Sequence, residues 1–277
     1  MSRNKDRLGG SKHQDTQPPA QTGGFSFVVP TEFVELPSQG RFYPEGHPLR
    51  GKDSIEIRQM TAKEEDMLTS RTLLKKGIAL DRVIASLIVD KSIDPDSLLV
   101  GDRNSIIIAT RVSGYGNMYE TKVSCPNCGT KQEYSFDLNR ANIYDGSDAN
   151  SVGVKANDDG TFNTILPRTG VDVQFRLLNG RDEKVFMSGM EADRKSKSEK
   201  NVTRQLATIV VSLNGDSSMQ AKQYFIDNVP SIDSRHLRLA YRLSAPNVDL
   251  TQHFQCIECS HEQEMEVPLS ADFFWSN

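Results

Sequence analysis

With 277 residues, 36% of them hydrophobic and 25% charged, the chain has material for one large core or two ordinary ones. A net charge of −4 supplies no global positive field to draw it to nucleic acid or anionic lipid. No apolar run approaches the roughly 20 residues of a membrane helix, and the four cysteines follow no apolar export signal, so they are expected to stay reduced and to serve metal or redox chemistry rather than disulfides.

Residues 1–24 are polar and rich in Gly, Gln and Pro, which reads as a disordered N-terminal tail. A first repeat is expected over residues 25–140. Ile55-Glu56-Ile57-Arg58 has strand character, Thr61-x-x-Glu64 is a capping box, and Val83, Ile84, Leu87 and Ile88 form a helical stripe. A further helix is expected to start at Asp102 as N-cap, followed by a hairpin carrying Cys125 and Cys128, with Gln132–Phe136 as its return strand. Residues 141–160 are dense in Asn, Asp, Gly and Ser and read as a flexible linker.

The second repeat, residues 161–277, takes up the same order. Leu166-Pro167-x-x-Gly170 echoes Leu36-Pro37-x-x-Gly40, and Val173–Arg176 echoes the Ile55 strand. Asn179-x-x-Asp182 offers another cap, and Val202, Leu206, Ile209, Val210 and Leu213 give one helical stripe. A helix capped by Asp233 comes next, although the alternation in His236-Leu237-Arg238-Leu239 also suits a strand. The repeat ends in a hairpin with Cys256 and Cys259. Aligning Cys125 with Cys256 at one gapless offset also superposes Asp102 on Asp233, Ala109 on Ala240, Arg111 on Arg242, Gln132 on Gln263 and Leu138 on Leu269. The fold expected is therefore α+β and internally duplicated, each unit comprising a strand, helices and a β-hairpin knuckle.

Each C-x-x-C pair lets a tight turn aim two sulfurs at one ion, and two such knuckles supply the four thiolates of a tetrahedral zinc site. The long separation of the pairs departs from a compact zinc ribbon, but a pseudo-two-fold pairing of the units would bring them together. Strand patterns, not helix starts, follow both motifs, which disfavours a thiol oxidoreductase. With four sulfurs there is no open position for substrate, so Cys125, Cys128, Cys256 and Cys259 are expected to hold a structural Zn2+. His253 and His261 flank the second knuckle as reserve ligands or exposed hairpin residues. Asp94, Asp96 and Asp102 read as turn and cap residues rather than a divalent-metal site. The basic run Arg194, Lys195, Lys197, Lys200 and Arg204 is interleaved with acids and reads as a solvated helix face. No catalytic nucleophile-and-base set or phosphate-binding loop is present. Phe42 and Tyr43, and the terminal Phe273, Phe274 and Trp275, are candidate partner-binding aromatics, the terminal set either folding back beside the hairpin or docking on a partner.

The stretch from Glu35-Leu36-Pro37-Ser38-Gln39-Gly40-Arg41-Phe42-Tyr43-Pro44 through Met60-Thr61-Ala62-Lys63-Glu64-Glu65 to Gly101-Asp102-Arg103 resembles the baseplate protein family of T4-like contractile-tailed phages. The second half is similar to zinc-finger-bearing members, with Pro246-x-Val248-Asp249-Leu250, the cysteine pair and a terminal Phe-Phe-Trp. The resemblance implies a non-enzymatic baseplate hub subunit or hub-assembly chaperone that binds hub and tail proteins, but neither nucleic acid nor membrane. It would act in the host cytoplasm during tail assembly or in the baseplate of the virion. The other reading is a zinc-ribbon nucleic-acid binder of the transcription-accessory kind, which would bind with steep salt dependence.

Overall fold

The computed structural model describes residues 28–75, 77–196, 200–268 and 273–274. Strands β1 (Thr31–Glu35) and β2 (Ser54–Arg58) form an antiparallel ribbon with Thr31 facing Arg58 and Glu35 facing Ser54. Alternation buries Val34, Ile55 and Ile57 on one face. Three helices follow, α1 (Ala62–Thr69), α2 (Arg71–Lys75) and α3 (Ala79–Leu87), and α3 buries Val83, Ile84 and Leu87 as its spacing predicts. The longer α4 (Val100–Tyr115) leads into the hairpin of β3 (Met118–Ser124) and β4 (Lys131–Asp137).

After β5 (Asn142–Tyr144), a four-stranded antiparallel sheet is built in the order β6 (Lys155–Ala156), β7 (Thr161–Ile165), β8 (Asp172–Arg176) and β9 (Val210–Leu213). Helices α5 (Gly180–Ser196) and α6 (Asn201–Ile209) lie between β8 and β9 in the chain. They are followed by α7 (Met219–Asn228), α8 (Ser231–Ser244), the short β10 (Asn247–Asp249), and a second hairpin of β11 (Thr251–Gln255) and β12 (Glu262–Glu266). This is a mixed helix-and-strand protein with small sheets. No described helix is long and apolar enough to cross a membrane.

Each strand-to-helix junction is locked the same way. Arg58 pairs with Glu64, whose Oε2 also accepts from Thr61 N–H at 3.0 Å. Arg176 pairs with Asp182, whose Oδ2 accepts from Asn179 N–H at 3.0 Å. Burial on its own would raise the Glu64 carboxyl, but hydrogen bonds from Arg58, Ser86 and Thr61 overturn that and hold it at about 2.

Three expectations are corrected. Asp102 and Asp233 are not N-caps: Leu99 and Pro230 hold those positions, and both aspartates lie two residues inside their helices, fully buried. From there each reaches a Leu-Pro turn. Asp102 accepts from Ser38 N–H (2.9 Å), Ser38 Oγ (2.6 Å) and Tyr43 OH (2.8 Å). Asp233 accepts from the N–H groups of Arg168 (2.8 Å) and Thr169 (3.0 Å). Second, the stripe through Leu213 is not one helix: α6 stops at Ile209, and the β-branched Val210 and Val211 continue as β9 beside β8. His236–Leu239 is helical, within α8, as the capped-helix reading expects. Third, residues 141–160 are packed rather than a loose tether. In that segment β5 pairs with β10, Ala149 and Val154 are buried, and Gly160 approaches so closely that an added Cβ would lie 2.4 Å from Phe42 O.

A single apolar cluster runs through both halves of the chain, from Val34 to Phe274. The halves meet at close range. A Cβ on Gly101 of α4 would lie 2.0 Å from Pro246 O, and Asn104 Nδ2 donates to Asn247 Oδ1 at 3.0 Å. Arg103 binds Asp81 and lies 3.5 Å from Glu183, while Lys184 reaches Asp81 at 3.1 Å and Asp96 at 2.6 Å. These ion pairs tie α3 and α4 to α5.

Candidate metal centre

Both hairpins end in the same turn. In the first, Cys125 N–H donates to Thr130 O and Gly129 N–H to Cys125 O, each at 2.9 Å. In the second, Cys256 N–H donates to His261 O at 2.9 Å and Ser260 N–H to Cys256 O at 3.0 Å. The reversal needs left-handed backbone after the second cysteine. Gly129 takes it at φ 73° without cost, and Ser260 takes it at φ 55° despite its side chain.

The two turns face each other across the halves. Cys125 Sγ lies 3.8 Å from Cys259 Sγ, Cys128 Sγ lies 3.6 Å from Cys256 Sγ, and all four sulfurs fall within 4.8 Å of one another. A tetrahedral site with Zn–S bonds of about 2.3 Å has sulfur–sulfur edges of about 3.8 Å, so the cluster fits a metal ion of that kind. Cys125 and Cys256 are buried, whereas Cys128 and Cys259 lie nearer solvent. Hydrogen bonding with the side chain and backbone of Thr130 draws the Cys128 thiol down to about 6. Backbone hydrogen bonds from Cys259 and Glu258 favour the Cys256 thiolate, yet burial and its thiol neighbours outweigh them and push it up to about 11.

The chain supplies the clamp around these sulfurs. Buried Gln132, on β4, donates to Gln255 O at 3.1 Å and accepts from Ile257 N–H at 3.0 Å, so one side chain grips the backbone on both sides of Cys256. Tyr134 OH donates to His253 O at 2.9 Å, and the Gln252 amide pairs with the backbone of Asp137 at 2.9 and 3.2 Å. Below the sulfurs, Tyr134 packs against Phe136 at 5.0 Å and Phe254 at 5.2 Å. In the sequence Gln132 stands out only as a return-strand residue and a matched position, and its role as the cross-knuckle clamp carries no local signature.

Neither flanking histidine joins the cluster. His253 lies 3.9 Å from Glu264, His261 Nε2 lies 3.4 Å from Gln263 Oε1, and among the described residues the metal-capable group consists of the four cysteines. Asp94 accepts from Asp96 N–H and binds Arg181, as expected of a turn residue, and Asp96 binds Lys184. The side chains of Arg194, Lys195 and Lys197 lie outside the described residues.

Of the candidate partner aromatics, Tyr43, Phe273 and Phe274 are buried and Phe42 is half-buried. Tyr43 is 1% exposed because its hydroxyl reaches Asp102 and its ring stacks on His47 at 4.2 Å. Phe42 packs on Phe162 at 5.0 Å. Phe273 and Phe274 are buried: Phe273 O accepts from Arg111 Nε at 2.8 Å, and its ring meets Tyr119 edge-on at 5.0 Å. Of the two fates open to the terminal aromatics, folding back is the one observed for this pair, and Trp275 lies outside the described residues.

The fold and the site define a mixed α/β protein with a four-cysteine centre able to hold a metal ion. A family model described as T4 bacteriophage base plate protein matches residues 30–275, and the chain belongs to that family. Its role is accordingly structural, in the phage tail baseplate alongside other baseplate or tail proteins. No curated protein and no solved structure gives a significant match.

Proposed function

We propose that the chain is a non-enzymatic, zinc-bearing assembly factor or structural component of the baseplate hub of a contractile phage tail, built from two copies of one unit. The observation that carries this reading is the convergence of four thiols, two from each half, at edges of 3.6 and 3.8 Å. Zinc bound there by four thiolates would have no open position for water or substrate, so it would supply cross-linking strength rather than Lewis-acid chemistry. Cys125 and Cys256 would anchor it from within, Cys128 and Cys259 would close it from the solvent side, and Gln132 would hold the two turns in register.

Common origin of the halves is supported by features outside the cysteines. Each has a buried aspartate binding a Leu-Pro turn, and each has an arginine–carboxylate pair at the end of a strand. Each knuckle also turns through a left-handed residue. The function is recognition: a molecule fixed in shape by its metal holds hub subunits in register in the host cytoplasm while the tail is built, or stays with them in the virion. The test is affinity capture of the tagged full-length chain from infected cells, with metal analysis of the eluate. Co-elution of baseplate hub proteins with about one zinc per chain supports the reading, whereas a polymerase or nucleic acid in their place would contradict it.

A further inference from the structure

The two knuckles share a backbone turn but not the side chains set on it. At the gapless offset that superposes the cysteines, Asn127 falls on Glu258, Thr130 on His261 and Gln132 on Gln263. The first knuckle thus presents an amide and a hydroxyl where the second presents a carboxylate and an imidazole. These differences fall at the solvent-side sulfurs. Asn127 Nδ2 donates across the seam to Cys259 Sγ at 3.6 Å, and Thr130 Oγ1 lies 3.3 Å from Cys128 Sγ. The second knuckle returns no such contact through these positions. Gln263 does not mirror the grip of Gln132, because its Oε1 lies 3.4 Å from His261 Nε2 on its own hairpin. Glu258, once ionised, has no proton to offer a sulfur.

The two contacts suit sulfurs that hold a metal. As a thiol, Cys128 gives its proton to the Thr130 hydroxyl. As a metal-bound thiolate it has none to give, and the same hydroxyl rotates and donates to the sulfur. The Asn127 amide donates to Cys259 in either form. A hydrogen bond to an ionised acceptor is stronger than one between neutral groups, so both contacts strengthen when the sulfurs carry charge. Each also aims its sulfur and occupies one approach to it on the side open to solvent. The inner sulfurs have less need of this help. Cys125 and Cys256 are buried, and the backbone N–H groups of Glu258 and Cys259 already serve Cys256.

We propose that Asn127 and Thr130 are the positioning residues for the solvent side of the metal centre, so that the first knuckle governs how tightly both outer sulfurs keep the ion. The inference rests on the four-thiolate reading of the centre and adds to it an inequality between the two knuckles. Groups hydrogen-bonded to metal ligands are typically worth about 10–100-fold in affinity.

The test uses the full chain and two readouts, zinc affinity by competition with a chromophoric chelator and the absorption spectrum of the Co2+-loaded protein. Circular dichroism checks that each variant folds. Asn127→Ala and Thr130→Val should each weaken zinc binding ~10-fold and move the sulfur-to-cobalt charge-transfer band to longer wavelength, because a sulfur without its donor is richer in electrons. Asn127→Asp keeps the side-chain volume but loses the donor and adds negative charge, so it should bind more weakly than Asn127→Ala. Thr130→Ser keeps the hydroxyl and should behave as the native chain does. Glu258→Ala and His261→Ala, at the matching positions, should not weaken affinity. Native affinity and band position in both Asn127→Ala and Thr130→Val would overturn the proposal, as would equal losses from Glu258→Ala and His261→Ala. A native chain that shows no sulfur-to-cobalt band at all would overturn the four-thiolate centre itself, and this inference with it.

Discussion

Replacing Asp102 by alanine removes the acceptor on which a buried turn closes. Three donors converge on its carboxylate: Ser38 N–H at 2.9 Å, Ser38 Oγ at 2.6 Å and Tyr43 OH at 2.8 Å. Ser38 and Asp102 are 1% and 0% exposed, so water does not replace the lost acceptor without opening the turn. A buried donor left unsatisfied costs about 1–3 kcal/mol, and the Ser38 amide has no second acceptor among the described residues, whereas the two hydroxyls can rotate toward other acceptors. The expected loss is about 3 kcal/mol, a large share of a typical stability of roughly 5–15 kcal/mol. Burial pushes the Asp102 carboxyl above its ordinary range, against the pull of the Ser38 and Tyr43 hydrogen bonds. Asp102→Asn sheds that charge, keeps one acceptor and should lose about half as much. Urea unfolding at saturating metal measures both, and a cycle with Ser38→Ala should show coupling of at least ~1 kcal/mol. A loss below ~1 kcal/mol for Asp102→Ala, or strict additivity with Ser38→Ala, would refute the assignment of Asp102 as the bond between α4 and the turn.

Acid sensitivity should follow Glu64, whose pKa is depressed to about 2 from an ordinary 4.5. A depressed carboxylate contributes stability that is complete above its unfolded pKa and disappears as pH falls from about 4.5 toward 2, here about 3 kcal/mol. Comparing wild type with Glu64→Gln over that window, by urea midpoint at each pH, cancels acid release of metal; parallel profiles would contradict the depression. Gly101→Ala should lower the melting temperature by several degrees or prevent folding, because its Cβ meets the backbone of Pro246 at 2.0 Å. Gly114→Ala meets only the flexible end of Met60, at 2.9 Å, and should be tolerated, so equal effects in calorimetry would count against the close approach of the halves. Removing residues 273–277 should destabilise the first hairpin by about 2 kcal/mol or more, through lost burial of Phe273 and Phe274. Amide exchange in β3 measures that, and unchanged protection would show that the aromatics do not support it.

Much of the framework was legible locally. The Thr61-x-x-Glu64 and Asn179-x-x-Asp182 boxes mark the starts of α1 and α5, and the stripe of α3 is buried as its spacing requires. The cysteine spacing named the centre because a C-x-x-C turn is a short-range device. What was not legible depends on distant partners. Asp102 and Asp233 look like caps until the turns they bind, 64 and 65 residues away, are brought beside them. Residues 141–160 have a loop's composition, yet a few apolar anchors and glycine-enabled close approach suffice to pack them. Tyr43 looked exposed because its neighbours are polar or turn-forming, whereas the acceptor that buries its hydroxyl lies 59 residues on.

X-ray absorption at the zinc edge of the purified native chain addresses the shared metal centre most directly. One zinc per chain with four sulfur neighbours at about 2.3 Å, falling to fewer sulfurs in Cys256→Ser, is the expected spectrum. A native protein without zinc, or with zinc bound mainly by nitrogen and oxygen, would contradict a centre built from Cys125, Cys128, Cys256 and Cys259.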